Sequence, residues 1–167
     1  MLISTKRSRT ALTELLRACG EEHLIALSEQ HLSEIRAHGE RDYPFECCGL
    51  LLGSFKENGH KSVVETYPIS NAREEEAKRN RFLIQPEELL EGEGYAREKG
   101  MDVIGFYHSH PDSPAVPSQY DLDHAWPTYS YIIVSVISER AKDLWSWEME
   151  TDRSRFNTEE ITMSDML

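Results

Sequence analysis

Cysteine is scarce in this sequence: there are three, Cys19 and the adjacent pair Cys47 and Cys48. An odd count with two immediate neighbours offers no disulfide framework and fits a reducing compartment, so a cytoplasmic address is expected. Long apolar runs are also missing. Nothing approaches the roughly 18 residues that cross a bilayer, and Met1-Leu2-Ile3 is too short for the core of a signal peptide, so no membrane partner is expected. Positive charge is in deficit, with 18 Lys and Arg against 30 Asp and Glu and a net charge of −12. A field of that sign repels a phosphate backbone, which argues against nucleic acid as a partner. Internal repeats and low-complexity tracts are absent as well.

What remains is 167 residues with 39% hydrophobic content, enough for one domain around a single core. Residues 1–23 read as an N-terminal extension, helical or flexible, with Lys6, Arg7, Arg9 and Arg17 against Glu14. A transit peptide has the same composition, but a simple extension helix accounts for these residues equally well. The domain itself is expected over 24–156, followed by a C-terminal strand or tail over 157–167.

Within that domain, Leu24–Leu27 reads as a short strand, and Ser28 is placed to cap a helix from Glu29 to about His38, stopped by Gly39, with Leu32, Ile35 and Ala37 on its apolar face. Cys47–Phe55 is a near-continuous apolar run suited to a strand buried on both faces. Asn58-Gly59 marks a hairpin turn, and the return strand runs from Ser62 to about Ile69. A charged loop over 71–81 leads to a short strand at Arg81–Gln85, and Pro86 opens a helix that Gly100 ends. Met101–Tyr107 is a strand delivering His108, and the proline-rich stretch from Asp112 to Pro117 is a loop. Ser118 caps a helix reaching about Trp126, and strands follow at Tyr129–Ser138 and Asp143–Met149. Strands and helices interleaved in this way predict an α/β domain, a mixed sheet flanked by helices.

His108-Ser109-His110 is the first chemical signal. On an extended chain residues i and i+2 share a side, so two imidazoles can converge on one ion. Such a pair is weak on its own, and its surroundings decide. Pro111 follows directly, Ser118 stands eight residues after His110, and Asp121 three residues later, giving His-x-His-Pro-x(6)-Ser-x-x-Asp. The proline-rich loop reverses the chain, and a carboxylate in the first turn of the next helix can face back toward the histidines. Three protein ligands leave a fourth position on a zinc ion open for water, and zinc lowers that water's pKa to about 7.

At this point the sequence resembles the JAMM (MPN+) zinc metallopeptidases. That family places a glutamate upstream, ahead of an apolar strand, and Glu46-Cys47-Cys48-Gly49-Leu50-Leu51-Leu52-Gly53 matches the arrangement. Asn71, Arg81-Phe82-Leu83-Ile84, Pro86-Glu87, Gly105-Phe106-Tyr107, Trp126-Pro127 and Tyr129-Ser130-Tyr131 are similar to the short bacterial branch, so the likeness covers about Leu24 to Phe156. The resemblance implies a single-domain MPN (JAB, cytidine-deaminase-like) fold with a curved mixed sheet. It implies zinc held by His108, His110 and Asp121, Glu46 as general acid/base, and Ser118 as donor to the oxyanion of the tetrahedral intermediate. The implied substrate is a ubiquitin-like or sulfur-carrier protein with a C-terminal Gly-Gly, from which an attached amino acid such as cysteine is cut. Its tail is expected to lie extended beside a sheet edge near the metal. The alternatives within the same fold are a deubiquitinase-like isopeptidase and a non-catalytic MPN scaffold.

Plainer readings stand beside these. Ser118 and Asp121 form a capping box with or without a metal. Cys47 and Cys48 read as small buried hydrophobes, although a Cys48 thiolate near zinc would compete for it. Asp112 and His124 are candidates for orienting a ligand imidazole. His23, His31, His38 and His60 read as ordinary surface residues, and Trp126, Trp145 and Trp147 as core or edge packing. A metallo-β-lactamase site fails because Ser113 stands where a histidine is needed, and the Pro-Cys-x-x-Cys of zinc deaminases is missing. A non-haem iron site leaves Glu46 and the serine spacing without a purpose.

Overall fold

The computed structural model describes residues 23–57 and 59–164. The expectation for residues 1–22, Cys19 included, lies outside them, as does Asn58 of the expected turn; its partner Gly59 has φ +83°. Among the described residues the order is β1 (Leu24–Leu27), α1 (Glu29–Asp42), β2 (Cys48–Phe55), β3 (Lys61–Ile69), α2 (Pro86–Glu98), β4 (Asp102–Pro111), α3 (Gln119–His124), β5 (Ser130–Ile137), β6 (Arg140–Met149) and β7 (Phe156–Met163). The strands lie side by side as β1-β3-β2-β4-β5-β6-β7, and β7 pairs back onto β1. Pairing is parallel between β4 and β5 and along both sides of β1, and antiparallel elsewhere. The sheet is therefore mixed, as the interleaved pattern predicts.

The apolar run of β2 is explained by two cores, one on each face. Leu51 packs with Ile25, Leu27, Ile35, Ile104 and Ile132, whereas Cys48, Leu50 and Leu52 pack with Ile69 and Ala96. Successive side chains of a strand point to opposite faces, so a strand covered on both sides carries no polar alternation.

Several expectations need correction. Helix α1 does not stop at Gly39 but runs on to Asp42. Gly39 is there for close approach: a Cβ would meet Val136 at 2.9 Å and Ser109 at 3.3 Å. The stop comes at Tyr43, whose ψ of 137° is the extended value that the following Pro44 favours. Ala37 is exposed, and the buried face is Leu32, Ile35, His38 and Gly39. Arg81–Gln85 is not a strand. Its backbone is satisfied locally: Leu83 N donates to Asn71 Oδ1 (3.2 Å), and Leu83 O accepts from Ala72 N (3.0 Å), so no sheet neighbour is required. Strand β4 does not end before His108 but continues to Pro111, because β5 keeps pairing with it as far as Pro111 opposite Val136. On its other side the ladder to β2 ends at Cys48 opposite His108.

Two histidines are not on the surface. His38 is 5% exposed and bridges Tyr107 OH (2.7 Å from Nδ1) and Asp42 (3.2 Å from Nε2). His23 is 7% exposed, with Nδ1 3.1 Å from Glu148. It joins a buried group in which Lys61 Nζ reaches Glu148 and Glu159, and Ser146 Oγ donates to Glu159 (2.7 Å). Exposed Trp126 and Trp145 contrast with Trp147, which packs in a third cluster with Met149 and Tyr131.

Candidate active site

Strand β4 carries His108 and His110 on one face, and α3 brings Asp121 to them. Their ligand atoms fall within 4.8 Å of one another. The Nε2 atoms of the two histidines are 3.1 Å apart; His108 Nε2 is 3.2 Å from Asp121 Oδ1, and His110 Nε2 is 3.5 Å from Oδ2. Tetrahedral zinc with ligands at about 2.0–2.2 Å requires edges of roughly 3.3–3.6 Å between ligand atoms, so this donor set has the size and chemistry for such an ion.

The tautomer agrees with that use. His110 Nδ1 donates to Pro114 O (2.8 Å), which leaves the Nε2 lone pair facing the other donors. His108 is held differently: the Phe82 ring lies against it at 4.7 Å, and its Nδ1 is buried with no hydrogen-bond partner among the described residues. Burial lowers the His108 pKa, and Asp121 does not fully offset it. At His110, burial also acts to lower the pKa but is outweighed by Asp121, Pro114 and Glu46, so the net shift is upward.

Asp121 owes its place to a capping box. Ser118 N and Oγ both donate to its Oδ2 at 2.6 Å, and Asp121 N donates back to Ser118 Oγ at 3.2 Å. Burial acts to raise this carboxyl, but the two imidazoles and Ser118 hold it far below the usual carboxylate range. The capping role of Ser118 and Asp121 thus coexists with their position beside the histidines, and the Ser118 hydroxyl is engaged with Asp121.

Glu46 stands just before β2 and is 5% exposed. Burial pushes its carboxyl up to about 8, with His110 pulling down and Asp121 adding to the rise. Its backbone is fixed from two sides: N–H donates to Lys78 O (2.7 Å), and C=O accepts from Asn71 Nδ2 (2.9 Å). The next residue is tied to the histidine strand, because Cys47 N donates to Ser109 Oγ (2.8 Å) and Cys47 O accepts from Ser109 N (3.2 Å). The serine between the histidines thereby sets the spacing between Glu46 and the imidazoles.

Other candidates fall elsewhere. Cys48 lies opposite His108 in register, yet its Sγ donates weakly to Ile69 O (3.6 Å), and neither cysteine is among the converging donors. Burial pushes Cys47 up to about 12 and Cys48 higher still, which opposes a thiolate at either position. Asp112 is taken up by Tyr43, Arg79 and Ser138 N, and His124 by Tyr120, so neither orients a ligand imidazole. Pro114, which does so, carries only a backbone carbonyl and gives no sequence signal. Asn71 organises the rim: besides Glu46 O it binds Arg81 O (3.0 Å), Arg73 N (3.0 Å) and Leu83 N (3.2 Å).

Taken together, these side chains can hold a divalent ion and move a proton beside it, which is the equipment of a metal-assisted hydrolase. The sequence matches the prokaryotic homologs of the JAB domain over residues 28–150, and the chain belongs to that family. It is 35% identical over 116 residues to a protein of Haloferax volcanii named desampylase, covering 69% of this chain and 80% of that one. A probable TtuB-protein conjugate cleaving protease of Thermus thermophilus is 31% identical over 110 residues (66% and 69%). The CysO-cysteine peptidase of Mycobacterium tuberculosis is 25% identical over 131 residues (78% and 86%). Among solved structures, a protein from Desulfitobacterium hafniense superposes with a TM-score of 0.75 at 30% identity, over 86% of this chain and 95% of its own. The fold is that of the JAB/MPN domain, and the peptidase names of the relatives support a hydrolase role.

Proposed function

We propose that this protein is a JAMM-type zinc peptidase that hydrolyses the peptide or isopeptide bond at the C-terminal Gly-Gly of a ubiquitin-like or sulfur-carrier protein, releasing an attached amino acid such as cysteine. One observation carries the reading: the donor atoms of His108, His110 and Asp121 converge within 4.8 Å of one another, with buried Glu46 near enough for its carboxyl to feel His110 and Asp121. His108 and His110, through Nε2, and Asp121 would hold the ion. When bound, zinc supplies a Lewis acid that polarises the scissile carbonyl and brings the pKa of water to about 7.

The chain's own residues do the rest. Glu46 accepts a proton from the attacking water as the new C–O bond forms at the glycine carbonyl. It then gives that proton to the amine as the C–N bond breaks, which yields a carrier carboxylate and a free amino group. A carboxyl whose proton affinity is raised by burial suits both halves of that transfer near neutral pH. Ser118 turns its hydroxyl from Asp121 to the developing oxyanion. Pro114 O keeps the proton of His110 on Nδ1 throughout.

The substrate class rests on the relatives' names, one of which removes cysteine and another of which cleaves protein conjugates. The second name favours an isopeptide bond as the runner-up. Two free, buried cysteines support a cytoplasmic site of action. Among the described residues no helix is long and apolar enough to cross a membrane.

Metal analysis beside turnover tests the reading. Glu46→Gln is expected to keep zinc and lose about 10²–10⁴-fold in rate, whereas Asp121→Ala loses the metal itself. If wild type from zinc-supplemented medium carries no more zinc than Asp121→Ala, the non-catalytic scaffold is the better description.

A further inference from the structure

Two arginines at the rim share one aromatic ring. Arg73 and Arg81 place their guanidinium carbons 5.4 Å and 5.1 Å from the centroid of one ring, that of Tyr120. Arg73 also donates to the Tyr120 hydroxyl, but its Nε is buried with no partner among the described residues. Its Nη1 makes a long ion pair with the exposed carboxylate of Glu74 at 4.0 Å. Arg81 is exposed and is in no ion pair among the described residues. In a chain of net charge −12, two guanidinium groups on one ring, whose one ion pair among the described residues is the 4.0 Å contact to exposed Glu74, are a place for an anion.

That place adjoins the reacting centre by three links. Tyr120 immediately precedes Asp121, Phe82 immediately follows Arg81 and packs on His108 (4.7 Å), and Asn71 binds Glu46 O, Arg81 O and Arg73 N together. We propose that Arg73 and Arg81, held on Tyr120, form the subsite for the free α-carboxylate of the residue being removed. The inference rests on the peptidase reading above and deepens it. A single amino acid attached to Gly-Gly carries its carboxylate one residue beyond the scissile bond. An isopeptide-linked lysine carries no carboxylate there, because its backbone continues in both directions. The subsite therefore selects one-residue adducts over protein conjugates, and planar guanidinium groups grip a carboxylate through paired N–H donors.

The test uses zinc-loaded full-length protein and one peptide in two forms, N-acetyl-Gly-Gly-Ala as the free acid and as the carboxamide. Affinity is read by calorimetry on Glu46→Gln, which blocks turnover, and cleavage is read on the wild type. The acid is expected to bind roughly 10- to 100-fold tighter than the amide, the scale of a lost charge-assisted hydrogen bond. Adding Arg81→Gln or Arg73→Gln to Glu46→Gln shrinks that preference to within about threefold. Arg81 is exposed, so its replacement leaves folding intact, and a preference that survives Arg81→Gln shows the carboxylate going to the metal instead and overturns the subsite. Equal binding of acid and amide, or binding of neither, overturns it too. Equal cleavage of both forms sinks the subsite and leaves the peptidase reading standing. An acid preference in binding without cleavage of either form does the reverse.

Discussion

Glu46→Gln should stabilise the protein once metal has been stripped from it. The wild-type carboxyl sits at about 8 in the fold against 4.5 in the open chain, because burial penalises its charged form. Between those values the folded state holds a proton that the unfolded state has released, so stability falls as pH rises through the window. At pH 7 the cost is about 2.5 × 1.36, or roughly 3 kcal/mol. At pH 5 it is below about 1 kcal/mol. Glutamine has the same shape and no ionisation, and it loses part of the gain to desolvation of its amide, leaving about 2 kcal/mol at pH 7. For a chain of this size that is a rise of roughly 4–8 °C in Tm. Thermal unfolding followed by circular dichroism in chelator, at pH 5 and pH 7, measures it. A variant no more stable than wild type at pH 7, or an advantage just as large at pH 5, would refute the argument that burial governs this carboxyl.

Two other expectations follow from the same kind of accounting. Lys61→Met removes the cation from between Glu148 and Glu159, both buried, and should cost about 3–5 kcal/mol by equilibrium denaturation, with a smaller deficit at pH 5 than at pH 8. The pH trend has that sign because buried carboxyls deprived of the Lys61 ammonium bind protons more tightly when folded than when unfolded; a deficit that grows on acidification contradicts it. Asn71→Ala deletes the side chain that fixes Glu46, Arg73, Arg81 and Leu83. It should lower kcat by about tenfold or more through misplacement of the base while leaving zinc content unchanged, and an unchanged kcat shows the hub to be dispensable.

How far the sequence could be read depended on the range of the interactions. The His-x-His pair and the Ser-x-x-Asp box are local geometry, set by the repeat of a strand and of a helix N-terminus, and all four residues meet in the fold. β2 was legible because burial on both faces removes polar alternation. Arg81–Gln85 misled because its composition suits a strand, while the partner of its backbone is the side chain of Asn71 ten or more residues away. Gly39 looked like a stop since glycine disfavours helices, yet its lack of a Cβ lets α1 lie against Ser109 and Val136. His23 and His38 are buried by contacts to Glu148 and Tyr107, more than sixty residues distant, which no local pattern encodes. The arginines on Tyr120 were missed for the same reason: the two segments meet only once the site has formed.

The central claim is tested most directly by intact mass spectrometry of ubiquitin-like carrier proteins bearing one extra amino acid after Gly-Gly. Each is incubated with the zinc-loaded enzyme, with and without chelator. Loss of that one residue's mass in the metal-replete sample, abolished by chelator and by Glu46→Gln, is the outcome expected. Carriers left intact throughout by an enzyme carrying its full zinc, or trimmed equally well by the chelated sample, would contradict the account.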